Sequence, residues 1–450
     1  MAPQKLVLIV VDGMTPEAFE HGVESGRAPA LAYLAAHGEY RRATSVFPSL
    51  TPVCLTSIAT GAGPDVHHIP SLSWWNREDK RIVEYGSSFA ALRKAGFSQG
   101  VLDTIVNMNE RHLSRDATTV YEALEDAGFV AAAINITCYR GRHRHASTVP
   151  GFPAVYGPSR FFFYNLYESD RTGAPFVGRG RKVGAVDAYA AAVGRWLVTR
   201  DGFDFLVFYL SDYDFASHVH GPAGAMDVAL GRVDASVGAL LQAAGGPDEF
   251  LERYAVILLS DHGQTEVKSV ARLEPHFADL SGQVVVTASN RAGQVYLLPG
   301  ACVGAADLAR RLDGEPAVEL TIRREGDDAV ARRDGEDFAA AEIEHPDAPE
   351  RVRAALANPN SGELLVSVAE GWELADLGGR HHSGGGSHGS LVAGDSFVPL
   401  LTIGVDGLAG SVAGKAADAR PVDPAPPARP ARITEVVPAV LDHFGVPRAR

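Results

Sequence analysis

Residues 5–13 read KLVLIVVDG, an unbroken apolar run from Leu6 to Val11 that stops at Asp12 and Gly13. A short run with no polar alternation describes a strand buried on both faces of a parallel sheet. Three further stretches have the same form: FVAAAINIT at 129–137, DFLVFYLSDYD at 204–214 and YAVILLSDHG at 254–263. Helical patterns occupy 28–37, 118–127, 186–198 and 225–243. This alternation predicts an α/β fold, a doubly wound, mostly parallel sheet flanked by helices, whose ligands bind beyond the carboxyl ends of the strands. Three of the four runs end in aspartate, at Asp12, Asp212 to Asp214, and Asp261, so that edge is the expected active site.

After Gln264 the texture changes. Residues 271–380 hold shorter strand-like stretches, among them QVVVTAS, QVYLLPG, VELTIRR and ELLVSVA, with an acidic, Ala-rich helix, and read as a smaller α+β insertion. The core is then 1–270 and 381–450, resuming with the strand FVPLLTIGV. A Pro- and Ala-rich linker over about 409–431 leads to a final helix in ITEVVPAVLDHFGV. There is no internal repeat.

The 450 residues are 46% hydrophobic and 21% charged, which excludes a disordered, collagen-like or coiled-coil chain. With 41 Lys and Arg against 55 Asp and Glu, the net charge of −14 disfavours nucleic-acid polymers and anionic membranes. Cys54, Cys138 and Cys302 are too few and too scattered for a disulfide framework, and each reads as a small buried thiol. The first apolar run is too short for a signal peptide or a membrane span, and no other uncharged run is long enough, so a cytoplasmic protein is expected.

Segment 139–182 is rich in Arg, Gly and aromatics: YRGRHRH, SRFFFYNLY and GRGRK. It reads either as a long surface loop or as a basic, aromatic wall, including Arg160, that holds the far end of an anionic substrate.

Carboxylates and neutral imidazoles are the usual ligands of zinc and similar ions, and paired ions can clamp a displacement at phosphorus. The chain offers Asp12, Asp214 and His218 in DFASH, Asp261 and His262 in SDHG, and His388 in GSHG. Each alone also reads as a turn residue, a helix cap or a hydrogen-bonded histidine. Their joint placement after successive buried strands points to metal binding. In VFPSLTPVCLTSIATG, Thr51 reads as a helix N-cap followed by Pro52 at the first helical position, with Gly61 as the stop. Capping alone accounts for Thr51, yet the same position lies beside unpaired backbone donors that stabilise an attacking alkoxide. Ser45, Ser49, Thr56 and Ser57 compete for that role.

VVDGM, FPSLT, DFASHVHGP, SDHG and GSHG, in this order, resemble the alkaline phosphatase superfamily, most closely its nucleotide pyrophosphatase/phosphodiesterase branch. The final helix is similar too, and the insertion is the part least covered. The resemblance implies one metal held by Asp12, Asp261 and His262 with Thr51, and a second held by Asp214, His218 and His388. It implies Thr51 as the nucleophile, passing through a phosphothreonine. Two divalent ions are implied; the mixed Asp and His ligands suit zinc, with manganese the alternative.

Two departures stand out. Where the branch reads HGIVGN, with its Asn on a phosphate oxygen, this chain has HHIPSLSWWN, placing Leu72 in register; Asn76 is the replacement if the loop is longer. The tract HHSGGGSH at 381–388 could by composition bind metal, but His388, followed by Gly389 and an apolar stretch, fits the family. His381, His382, His220, His67 and His68 are assigned to the surface or to supporting the ligands, and Asp212 to a structural role.

The expected activity is two-metal hydrolysis of a phosphodiester or pyrophosphate bond in a small molecule. A phosphomonoesterase or phosphonate hydrolase, like the phosphonoacetate hydrolases, is the alternative on the same core. A sulfatase is disfavoured, because Thr51 is followed by Pro52 and Val53. From another class, a metal-stabilised binding protein without turnover stays open, as does the oligomeric state.

Overall fold

The computed structural model describes residues 3–174, 185–406, 408 and 431–448. The expected linker, apart from Ala431, and residues 175–182 of the basic segment lie outside them. The four apolar runs form four adjacent parallel strands, in the order Tyr254–Leu259, Lys5–Val11, Phe205–Leu210, Ala131–Ile134. Arg160–Phe163 extends this row in parallel and Tyr167–Glu168 closes it antiparallel. On the other side Phe397–Ile403 pairs antiparallel with Tyr254–Leu259, followed by Glu39–Thr44 and Ala431–Arg432. Of the nine strands, only Phe397–Ile403 and Tyr167–Glu168 run against the rest.

Side chains alternate between two cores, which is why these strands carry no polar positions. Leu6, Leu8 and Val10 face one core with Val207, Ile257 and the helices Thr51–Thr60, Val120–Asp126 and Val436–Phe444. Val7, Ile9 and Val11 face the other with Leu206, Phe208 and the helices Pro16–Glu24, Pro29–His37, Ala185–Thr199 and Leu230–Ala243. Each fully buried large apolar side chain contributes about 1.5–3 kcal/mol, so the central strands are the most strongly determined part of the fold.

Four strands of this sheet escape the sequence pattern: Glu39–Thr44 is half polar, Arg160–Phe163 and Tyr167–Glu168 lie inside the segment read as a loop or wall, and Ala431–Arg432 is only two residues long. The helix expected over 225–243 is divided: Asp212–Val228, broken at Gly221, ends before Leu230–Ala243 begins.

A second, six-stranded antiparallel sheet has the order Val284–Ser289, Ala292–Leu297, Leu364–Val368, Val318–Glu325, Asp328–Arg333, Glu336–Ala339. Between the sheets, Thr265–Ala271 pairs with Gly371–Leu374 and with Gly386–Ser387, so the chain leaves and re-enters the core through one small sheet. Arg291, fully buried, bridges to Asp395 at 3.0 Å and joins the second sheet to the segment before Phe397–Ile403. Cys54 and Cys138 are buried free thiols as expected; Cys302 is exposed, because it falls in the turn after Ala292–Leu297. Among the described residues no helix is long and apolar enough to cross a membrane.

Candidate active site

Asp12 and Asp261 leave the carboxyl ends of two adjacent strands, and the next strand delivers Asp214 one turn into its following helix. The result is two clusters whose ligand-type atoms lie within 4.8 Å of one another: Asp12, Asp261 and His262, and Asp214, His218 and His388. His262 Nε2 is 3.3 Å from Asp12 Oδ1 and 3.4 Å from Asp261 Oδ2. His218 Nε2 is 3.3 Å from Asp214 Oδ2, and His388 Nε2 is 3.8 Å from Asp214 Oδ1. The His262 and His388 rings stack with centroids 3.5 Å apart and place the clusters side by side.

All three histidines turn Nδ1 to a backbone carbonyl: His262 to Gly263 at 3.0 Å, His218 to Gly386 at 2.8 Å and His388 to Ser49 at 2.8 Å. Nδ1–H donation leaves the Nε2 lone pair directed at the carboxylates, the arrangement found in metal-binding histidines. Asp12 Oδ1 and Asp261 Oδ2 are buried and accept no hydrogen bond, a costly state for carboxylate oxygens unless a cation faces them. The donor set therefore fits two divalent ions.

The electrostatics carry the same signature. Burial and the adjacent Asp12 push the Asp261 carboxyl well up. Burial opposes protonation of His262, but Asp261 and Asp12 outweigh it and raise its pKa to about 10. Burial would raise Asp214, yet His218 and His388 hold its carboxyl well below the usual range. His388 is pushed well down by burial and by His262. Carboxylates crowded this closely repel each other, and divalent ions relieve that repulsion.

Thr51 is not the cap of its helix. Leu50 takes the N-cap position and Thr51 is the first residue of Thr51–Thr60, with no side-chain capping bond. Its hydroxyl instead faces His262, with Oγ1 3.1 Å from Nε2. The competing hydroxyls are engaged elsewhere: Ser49 donates to the Ser390 carbonyl, Thr56 to the Pro52 carbonyl, Ser45 to the Asp261 carbonyl, and Ser57 pairs with His67 Nε2. None of the four lines the cavity over the clusters, which measures about 360 Å³.

Leu72 does line that cavity. Asn76 and Arg160 do not, which corrects their assignment to substrate. Asn76 Oδ1 accepts from the amides of Glu78 and Asp79 and so fixes the turn that joins the paired strands Ser73–Asn76 and Arg81–Glu84. Arg160 lies in the main sheet and pairs with Asp170 at 2.9 Å. Arg140 is likewise buried against Glu122, and Arg142 pairs with Asp126, so these three arginines neutralise the protein's own acids. From this segment the cavity receives Tyr164.

The HHSGGGSH tract is ordered by pairing. Gly386–Ser387 is a strand against Thr265 and Glu266, His382 lies against Glu373 and stacks on His218, and His381 is exposed. His67 is buried beside Ser57 rather than at the surface, and Asp212 caps Ala185–Thr199 by accepting from the amides of Val186 and Asp187. Gly389, at φ 127°, is required for a close approach: a Cβ there would lie 3.2 Å from the Arg291 amide nitrogen. Sequence reasoning missed Tyr209, whose hydroxyl donates to Asp12 Oδ2, Gln264, which donates to Asp214, and Asn290, which donates to His388. Tyr209 sits inside the quoted run 204–214 and Gln264 directly follows SDHG, and only their burial toward the site distinguishes them.

A mostly parallel sheet that gathers two acid–histidine clusters and a helix-initiating threonine at one edge defines a hydrolase-type centre of the alkaline phosphatase superfamily. Residues 6–391 match the family model for type I phosphodiesterase/nucleotide pyrophosphatase, and the chain belongs to that family. Its fold is shared with a phosphonoacetate hydrolase from Sinorhizobium meliloti 1021 in complex with phosphonoformate (17% identity, TM-score 0.65, covering 99% of this chain and 96% of that one). It is shared equally with murine ectonucleotide pyrophosphatase/phosphodiesterase 5 (14% identity, TM-score 0.64, 99% and 96% covered). An inactive threonine-to-alanine form of that murine protein in complex with AMP matches with a TM-score of 0.65 at 14% identity, again over 99% and 96%. The family is named for phosphodiester and nucleotide pyrophosphate hydrolysis, as is the murine neighbour, and the bacterial neighbour is named as a hydrolase of a phosphonate.

Proposed function

We propose that the protein hydrolyses phosphodiester or pyrophosphate bonds of small molecules through a phosphothreonine at Thr51. The observation that carries this reading is the position of the Thr51 hydroxyl, uncommitted to capping, facing the cavity and 3.1 Å from His262 Nε2 in the first cluster. Asp12, Asp261 and His262 would hold one ion and Asp214, His218 and His388 the other, zinc being the best match and manganese the alternative. Bound there, such ions supply positive charge to the phosphoryl oxygens and the leaving group. Thr51 Oγ1 forms the new bond to phosphorus as the bond to the leaving oxygen breaks; water then cleaves the phosphothreonine and restores the hydroxyl. The murine protein's inactive threonine variant is consistent with that role for a threonine.

The cavity wall favours a diester over a phosphonate with a second anionic end. Leu72, Met108, Tyr164, Phe215 and Val219 offer apolar and aromatic surface for the uncharged organic substituent of a diester. Among the described residues no Lys or Arg lines the cavity to meet a free carboxylate.

Hydrolysis of bis-p-nitrophenyl phosphate beside p-nitrophenyl phosphate by metal-analysed protein tests the proposal. The diester should be preferred, and Thr51→Ala should lower kcat by about 10³-fold or more with both ions retained. Preference for the monoester would replace the reading with a phosphatase. Turnover unaffected by Thr51→Ala would overturn the mechanism.

A further inference from the structure

Asn290 forms the turn between Val284–Ser289 and Ala292–Leu297, so the second sheet sends one side chain into the cavity. The turn is held in place: the Leu374 amide donates to the Asn290 carbonyl at 2.8 Å, and the Arg291 amide donates to the His388 carbonyl at 2.9 Å. At φ 55° Asn290 adopts the left-handed conformation that asparagine tolerates better than most residues. Its side chain is buried and oriented. Ser289 Oγ donates to Oδ1 at 3.0 Å, which leaves Nδ2 directed to His388 Nε2, also at 3.0 Å.

That second bond conflicts with the function of the site. His388 Nδ1 is committed to the Ser49 carbonyl, so Nε2 is the nitrogen it can offer to an ion. A lone pair cannot serve both as a ligand and as an acceptor for Asn290. When His388 acts as a ligand, a buried amide donor at the cavity surface loses its acceptor, which is unfavourable unless another takes its place.

We propose that this acceptor is a non-bridging oxygen of the phosphoryl group attacked by Thr51, which makes Asn290 a catalytic residue that stabilises the developing charge. The proposal rests on the phosphoryl-transfer reading above. Among the described residues, the cavity lining holds one side-chain amide, Asn290, and no Lys or Arg. Leu72, from the segment after the Thr51 helix, lines the same cavity with an apolar side chain that donates no hydrogen bond. An amide delivered by the second sheet thus supplies a donor that the segment after the Thr51 helix does not.

Asn290→Gly tests this with the backbone geometry preserved, since glycine accepts the same φ; Asn290→Asp keeps the size but replaces the donor by a carboxylate. Both are compared with the unaltered metal-replete protein for metal content, kcat and KM on bis-p-nitrophenyl phosphate, and the Kd of inorganic phosphate by calorimetry. Asn290→Gly should keep two ions, lose about 10²-fold in kcat and bind phosphate about tenfold more weakly; Asn290→Asp should lose more of both. A kcat for Asn290→Gly within about threefold of the parent would overturn the proposal. So would loss of an ion from that variant, because Asn290 would then only support His388. Persisting activity in Thr51→Ala would defeat the underlying mechanism, whereas an inert Thr51→Ala beside a fully active Asn290→Gly would defeat the Asn290 assignment alone.

Discussion

Asp261 spends one carboxylate oxygen on backbone amides, Oδ1 accepting from Gly13 and His262, and leaves Oδ2 buried with no donor. The first interaction fixes the group and the second leaves it available to a cation. Asp261→Asn keeps the shape but removes the charge, so the first cluster should lose its ion while the second retains its own. Metal analysis should show about one ion per chain instead of two, with activity down by about 100-fold or more. Two ions and normal turnover would remove Asp261 from the ligand set. Glu84, beside the cavity residues Tyr85 and Gly86, is a different buried carboxylate: burial raises its pKa to about 7 from 4.5, against the pull of the Ser87 amide. Because the folded protein holds this proton more tightly, Glu84 favours folding at low pH, and that contribution is lost as the pH rises from 4.5 to about 7. Glu84→Gln should abolish this slope, a difference of about 3 kcal/mol across the interval, read from denaturation midpoints at pH 4.5 and 8. An unchanged slope would mean that Glu84 ionises freely.

At the scale of elements, the helix Thr51–Thr60 aims the proposed nucleophile, Thr51. It is buried along nearly its whole length and ends at Gly61, where φ is 68° and the backbone runs against the C-terminal helix. A Cβ at Gly61 would lie 2.9 Å from Val437 Cβ and 2.9 Å from Pro438 Cδ. Gly61→Ala should therefore destabilise by about 1–3 kcal/mol and shift the helix that positions Thr51. Thermal unfolding with kcat on the diester would show both effects, and a variant as stable as the parent would contradict the packing argument. This helix was legible from Pro52 and Gly61, as were the four central strands from their unbroken apolar runs. Glu39–Thr44 was not, because its alternation is weak and its pairing with Phe397–Ile403 is set by residues more than 350 positions away. Arg160–Phe163 was hidden by surrounding arginines, whose charge suggested a ligand until Asp170, Glu122 and Asp126 were seen to neutralise them.

Over the whole molecule, the sheets are joined beside the candidate active site. The Arg291–Asp395 pair is fully buried, one partner in the second sheet and the other preceding the core strand Phe397–Ile403, and Asp395 also accepts from Ser390 and Thr265. Arg291→Leu would leave that carboxylate buried without its cation, a loss of about 3–5 kcal/mol. The denaturation midpoint should fall accordingly, and activity should fall with it because Arg291 adjoins Asn290 and its amide holds the His388 carbonyl. A variant with the parent's midpoint would show that the sheets are held by apolar packing alone.

By itself the sequence determined the identity of the buried strands, the aspartates at their ends and the order of the acid–histidine motifs, because each is encoded within a few adjacent residues. Continuous apolar runs and strand-end carboxylates are local facts, and the parallel fold follows from them. Only the tertiary structure decided which neighbour each polar group meets. Thr51 faces His262 instead of capping its helix, Arg160 is matched by Asp170 instead of a substrate, and Asn290, remote in the chain, reaches His388. The physical reason is that hydrogen bonds and ion pairs act over a few ångströms, and only folding brings residues far apart in the chain within that range.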